Sequence, residues 1–131
     1  MTTAFDDTTR ALLDGTNVAT LATLNPDGSP QTSVVWVMSD GGTVLLSTTA
    51  ARQKAKNIAR DPRVALTVFD AADPYLSRDI RGTAELTGDP DKLLGRRLSH
   101  KYLGQDPPFE PDDVVRLVVR ITPTRVLGFA G

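Results

Sequence analysis

The chain has 131 residues, with 15 Lys and Arg against 16 Asp and Glu; at a formal net charge of −1, no global field favours a nucleic-acid partner. It contains no cysteine, which excludes disulfides, thiol catalysis, iron–sulfur clusters and cysteine-based zinc sites. A single domain spanning 1–131 is expected, and at this size it buries only about two thirds of its unfolded surface, so pairing with a second copy would help it.

Thr3 to Asp14 reads as a short amphipathic helix covering one mouth of a barrel. Thr3 and Asp6 have capping-box spacing, Phe5, Leu12 and Leu13 share a face, and Gly15 supplies the stop. Asp6 and Asp7 stand where a signal peptide would be basic, and no apolar run approaches membrane length, so a cytoplasmic protein without a membrane partner is expected. Val18 to Leu24 alternates as a strand does, Asn25-Pro26-Asp27-Gly28 is a turn, and Pro30 to Met38 returns to complete a hairpin. Ser39-Asp40-Gly41-Gly42 then turns the chain into Thr43 to Thr48, which predicts a three-strand meander.

The stretch from Leu45 to Pro62 holds the main functional signal. A strand passes through Ser47, Thr48 and Thr49 into a helix, with Thr49 the expected N-cap and Asp61-Pro62 the end. Ala51, Ala55, Ile58 and Ala59 share the side expected to be buried. At about 100° per residue, Arg52 and Lys54 flank that side on opposite edges, and Lys56 lies near Arg52. Cations at a helix start meet unpaired N–H groups and the positive end of the dipole, which is unfavourable unless an anion offsets them. Hydroxyls, orphan amides and a basic fork together suit a phosphate; a solvated basic face is the alternative that spacing leaves open.

Past Pro62, Val64 to Phe69 reads as a central strand, Asp70 to Asp79 as a loop of functional length, and Ile80 to Thr87 as a strand in which Gly82 marks a bulge or close approach. Asp89-Pro90 reads as an N-cap followed by proline at the first helical position, opening a helix that runs through Leu93, Leu94 and Leu98 to Gly104. Gln105 to Asp113, with three prolines, is an irregular connection. Val114 to Thr122 alternates, with Val115, Leu117, Val119 and Ile121 on one face and Arg116 and Arg120 on the other. Pro123-Thr124 is expected to break it before a last strand from Arg125 to Phe129. Six or seven strands with three short helices and no βαβ alternation predict a mainly β protein, a small antiparallel barrel.

Residues able to carry chemistry unaided are few. His100 is the single histidine, with no second ligand to share a metal and no nucleophile elbow nearby, so it reads as a helix-surface residue and no metal site is expected. Asp27, Asp40, Asp61 and Asp89 fall in turns and caps, and no phosphate-loop or dinucleotide fingerprint occurs. Trp36, on an alternating strand, reads as core or dimer contact ahead of a site residue. The inventory is that of a binding protein, or of an enzyme whose cofactor supplies the reactivity.

The ordered set Ala19 to Gln31, Ser47 to Ile58 with Asp61-Pro62-Arg63-Val64, Asp73-Pro74-Tyr75, Arg81-Gly82-Thr83-Ala84 and Arg120 to Val126 resembles the pyridoxamine 5′-phosphate oxidase-like split β-barrel family. Within it, the chain looks like the small flavin/deazaflavin oxidoreductases that use coenzyme F420. The resemblance implies an FMN-binding split-barrel fold and a homodimer with cofactor sites at the interface. It places phosphate contacts at Arg52 and Lys54 with Lys56 and Asn57 as neighbours, ring-backing residues at Gln31, Thr32, Ser33, Val34 and Val35, and a strand end at Ser47, Thr48 and Thr49. Tyr75 would approach from the other subunit. The implied reaction is hydride transfer between coenzyme F420 and a small conjugated or quinone-like substrate, with water, Arg78 or Tyr75 supplying the proton. An FMN-dependent oxidase or flavin reductase, or a cofactor-binding module without turnover, are the alternatives. No counterpart of the longer C-terminal part of true pyridoxamine phosphate oxidases is seen, so vitamin B6 chemistry is not expected.

Overall fold

A computed structural model describes residues 4–128. Seven strands form one antiparallel sheet: β1 (Ala19–Leu24), β2 (Pro30–Val35), β3 (Met38–Asp40), β4 (Thr43–Thr49), β5 (Arg63–Asp70), β6 (Asp73–Gly88) and β7 (Arg116–Gly128). Three helices accompany it, α1 (Asp7–Asp14), α2 (Gln53–Arg60) and α3 (Leu93–Leu103). The strand order is β2-β1-β5-β6-β7-β4-β3, so the two outer strands are consecutive in the chain. Val35 and Met38 are three peptide steps apart, about 11 Å at full extension, so the sheet must curl until its edges almost meet. No ladder joins those edges among the described residues, which makes the barrel split.

Alternation along the strands fills the interior. Leu21, Leu46, Leu66, Ile80, Val119 and Ile121 are all but inaccessible to solvent, and Phe5, Leu12 and Leu13 of the α1 region join the same cluster. The helix thus closes the barrel as expected. Its cap is Asp6, whose carboxylate accepts from the Thr9 N–H at 2.7 Å; Thr3 lies outside the described residues.

Several boundaries differ from expectation. The strand predicted from Pro30 to Met38 divides at Trp36-Val37: β2 pairs with β1, whereas β3 pairs with β4, so two hairpins replace the meander. The break at Pro123-Thr124 does not occur, and β7 runs through it in one piece. Gly82 pairs with Pro123 and Arg81 with Arg125, leaving Thr124 as the extra residue of a bulge. A Cβ at Gly82 would stand 2.2 Å from the Thr122 carbonyl oxygen, the close approach that its position in a strand suggested. Asp70 to Asp79 is no loop, because β5 and β6 extend almost to each other across a short turn at Ala71-Ala72. Polar residues there reflect a hairpin projecting into solvent.

α3 begins at Leu93, not at Pro90. The Asp89 carboxylate still receives the N–H groups of Leu93 and Leu94, both at 3.0 Å, across a connection in which Lys92 adopts left-handed backbone angles. Gly104 ends the helix with φ 72°, as a C-terminal glycine should. Val115, expected in the strand on one face with Leu117, Val119 and Ile121, lies just ahead of β7 and is exposed.

Candidate functional site

β4 delivers the chain to α2 later than expected. Thr49 still belongs to the strand, opposite Arg116, and its carbonyl accepts from the Arg52 N–H at 3.1 Å to make the turn. Arg52, not Thr49, is therefore the N-cap; no side chain caps the first turn, and no acidic residue occupies it. Its buried face is Ala55, Asn57 and Ile58, while Ala51 and Ala59 are exposed. The electrostatic conflict is sharper than the sequence suggested, since Arg52 sits at the cap and Lys54 at the second helical position. Burial pushes the Lys54 ammonium below its ordinary range, and the neighbouring Arg52 charge adds to the effect. A bound anion would act against both by attracting the ammonium.

Lys54 reaches a concavity of about 270 Å³ shared with Val34, Val35, Trp36, Ser47, Gly95, Leu98, Pro107 and Arg116. Four of the sequence-predicted residues thus come together: Val34, Val35, Ser47 and Lys54. Val34 is 67% exposed and offers its aliphatic face to a ligand, whereas Val35 turns into the core. The Ser47 hydroxyl is buried without a hydrogen-bond partner, and a Cβ on Gly95 of α3 would lie 3.7 Å from it. Such an orphan oxygen awaits a polar partner. A second concavity of about 500 Å³ shares Gly95, Pro107 and Arg116 with the first, and extends under the proline-rich connection past Arg96, Phe109 and Glu110.

Other expected residues lie elsewhere. Thr32 is exposed on β2, Ser33 is partly covered there, and Thr48 is buried. Thr49, Arg52 and Lys56 lie outside the wall of the concavity, Arg52 near enough to act on Lys54 through its charge. Asn57 is fully buried and does not face a ligand. Its amide donates to Thr23 Oγ1 and Asn25 Oδ1, each at 3.0 Å, and to Gln31 Oε1 at 3.2 Å, while its oxygen accepts from Gln53 at 2.8 Å. The family resemblance put Asn57 beside the phosphate contacts; in three dimensions it and Gln31 bolt α2 to the β1–β2 hairpin.

Arg78 and Tyr75 do not line the Lys54 concavity either. Arg78 donates to the Ser77 carbonyl at 2.8 Å, lies 3.8 Å from the Asp6 carboxylate, and faces a depression with Thr9 and Val126. Tyr75 is 73% exposed near the tip of the β5–β6 hairpin. His100 is on the helix surface as expected, 2.5 Å from Asp106.

Sequence reasoning missed the contribution of α3 and of Arg116. Arg116 reads as the polar side of an alternating strand, yet it forms a forked pair with Glu110 at 2.9–3.2 Å, and Lys92 joins the same carboxylate at 3.1 Å. Gly95 gave no signal beyond its small size.

A family model described as pyridoxamine 5′-phosphate oxidase matches residues 5–129. Among solved structures, an F420 reductase is 33% identical, with 90% of this chain and 94% of that one covered and a TM-score of 0.81. A conserved hypothetical protein from Mycobacterium tuberculosis is 27% identical over 95% of this chain and 84% of its own, TM-score 0.75. A putative pyridoxamine 5′-phosphate oxidase from Listeria innocua shares the fold at 21% identity, with 89% and 91% coverage and a TM-score of 0.68. The uncapped basic helix start, the orphan serine and the aliphatic strand fit the phosphate and flat ring of a flavin or deazaflavin. On the family match and the curled sheet with its unjoined edges, the chain belongs to the pyridoxamine 5′-phosphate oxidase-like split-barrel family of flavin- and deazaflavin-binding oxidoreductases.

Proposed function

We propose that this protein is a coenzyme F420-dependent oxidoreductase acting on a small conjugated or quinone-like substrate, and that it works as a homodimer. The observation carrying the reading is Lys54, a half-buried cation at an uncapped helix start, opening onto a concavity walled by Val34 and Trp36. Arg52 and Lys54 hold the phosphate, and Lys56 adds charge from the exposed side of α2. Val34 backs the ring, and the Ser47 hydroxyl donates to a polar ring edge. When bound, the deazaflavin supplies a hydride; this chain's residues fix its position and keep water from the ring. Tyr75 projects far enough from the barrel to meet a second copy, where its phenol or water is the proton source.

Identity to an F420 reductase favours the deazaflavin over FMN, which remains the second reading. Titration of the purified protein with both coenzymes separates them. Tight F420 binding with weak FMN binding is expected, followed by oxidation of reduced F420 by a quinone panel. Preferential FMN binding would overturn the choice of coenzyme, and binding of F420 without turnover would overturn the assignment as an enzyme.

A further inference from the structure

Trp36 is the chain's single tryptophan, and it forms part of the wall of the Lys54 concavity. It stacks on Tyr102 of α3 with centroids 5.1 Å apart and planes 7° from parallel. What fixes Tyr102 therefore fixes the wall. The Tyr102 hydroxyl donates to the Asn17 carbonyl at 2.7 Å and accepts from the Val37 N–H at 3.1 Å. The neighbouring Lys101 ammonium donates to the carbonyls of Leu13, at 2.6 Å, and Val37, and lies 4.5 Å from the centre of the Tyr102 ring. The end of α1, the connection after it and the two-residue link across the barrel's split all converge on two adjacent residues of α3.

α3 is held at its start by the Asp89 carboxylate and along its length by Leu94 and Leu98 packed on Leu45, a cluster separate from the barrel core; Lys101 and Tyr102 supply the polar ties at its end. We propose that Lys101 is a positioning residue for the concavity: its ammonium ties the end of α3 to Leu13 and Val37 and so keeps the Tyr102–Trp36 stack in the wall. This rests on the reading of that concavity as the coenzyme site. The charged tie has a pH limit. Burial pushes the Lys101 ammonium down to about 8, against the attraction of Asp14 on α1. Tyr102 faces it from its own helix, Arg96, Arg97 and His100 border it on the same side, and the link residues Trp36 and Val37 and the adjoining Met38 carry no titratable group. Above that pH a neutral amine loses its hold on the ring face and one of its three donors.

Trp36 emission in the coenzyme-free protein reads the tie directly. A transition centred near pH 8 is expected in the wild type, absent from Lys101→Arg, whose guanidinium stays charged, and retained in His100→Gln. At neutral pH, Lys101→Met should shift the emission to the red and open Trp36 to acrylamide quenching. It should bind F420 about fivefold more weakly, the size of one lost net hydrogen bond, with Lys101→Arg restoring both. A flat wild-type titration, or Lys101→Met with unaltered emission or unaltered affinity, overturns the proposal. Should Lys101→Met fail to fold, the wild-type and Lys101→Arg titrations decide alone. Failure of the wild type to bind either coenzyme would sink the functional reading, and with it the link to the coenzyme, while the emission traces still report on the tie.

Discussion

Lys54 stands in the first turn of α2, where no acidic residue accompanies it. An ammonium partly withdrawn from water, beside Arg52 and at the positive end of a helix, is held below its ordinary pKa. A bound phosphate opposes these effects by its attraction for the ammonium, which raises the Lys54 pKa in the complex above that of the free protein. Binding should then take up a proton at alkaline pH and weaken as pH rises from the depressed value towards 10.5, an uptake that calorimetry in buffers of different ionisation enthalpy would detect. Lys54→Ala should cost about 1.5–3 kcal/mol of coenzyme affinity and leave the melting temperature of the free protein unchanged. A drop in melting temperature with affinity intact would assign Lys54 to the fold. The cations were legible because they violate a local rule, cations at a helix start, and such violations mark function. Asn57 was misplaced because nothing in the sequence distinguishes an amide facing a ligand from one bonded to Thr23, Asn25 and Gln31 across 26 or more residues. Arg116 stayed hidden for the related reason that Glu110, its partner, lies in a stretch without periodicity.

Among the elements, the β6–β7 pair shows both how far pattern reading reaches and where it stops. Gly82 was recognised as special, and its contact with Thr122 explains why: Gly82→Ala would drive a methyl to 2.2 Å from a carbonyl oxygen held in the sheet. It should lose at least about 3 kcal/mol in urea denaturation, whereas Gly42→Ala, in an open turn, should lose under about 1. Pro123 looked like a breaker because sequence does not reveal the bulge opposite Gly82 that excuses its missing N–H. The division of β2 from β3 was equally invisible: Trp36 and Val37 are good strand formers, and only the closure of the barrel makes them a corner. Against the expected six or seven strands there are seven, with one unseen division and one unseen continuation offsetting each other. The connection from α3 to β7 makes a pH prediction of its own. Arg116, then Lys92, hold the Glu110 carboxyl below its usual 4.5. The pair's contribution is therefore complete above 4.5 and fades as pH falls through the lower folded value, so Glu110→Gln should flatten the stability profile below pH 4.5 and be mildly destabilising above it.

At the scale of the whole molecule, a single chain leaves several large apolar side chains in water. Val34, Phe69, Tyr75 and Val115 are among the large apolar side chains left uncovered, and Val34 lies in the wall of the Lys54 concavity. A partner covering that region would complete the wall opposite Val34 and exclude water from a bound ring. Association and coenzyme binding would then be linked, each favouring the other by the same factor. Sedimentation should give a particle of twice 14.1 kDa, and dilution into the monomer range should release coenzyme, so that affinity per protomer rises with protein concentration. Tyr75→Ala should lower turnover more than it lowers association, because in the proposed homodimer its phenol serves the partner's site. An affinity that is the same at all concentrations, in a protein that sediments as a single chain, would instead mean that one chain closes the site by itself, with Trp36, α3 and the proline-rich connection as its cover.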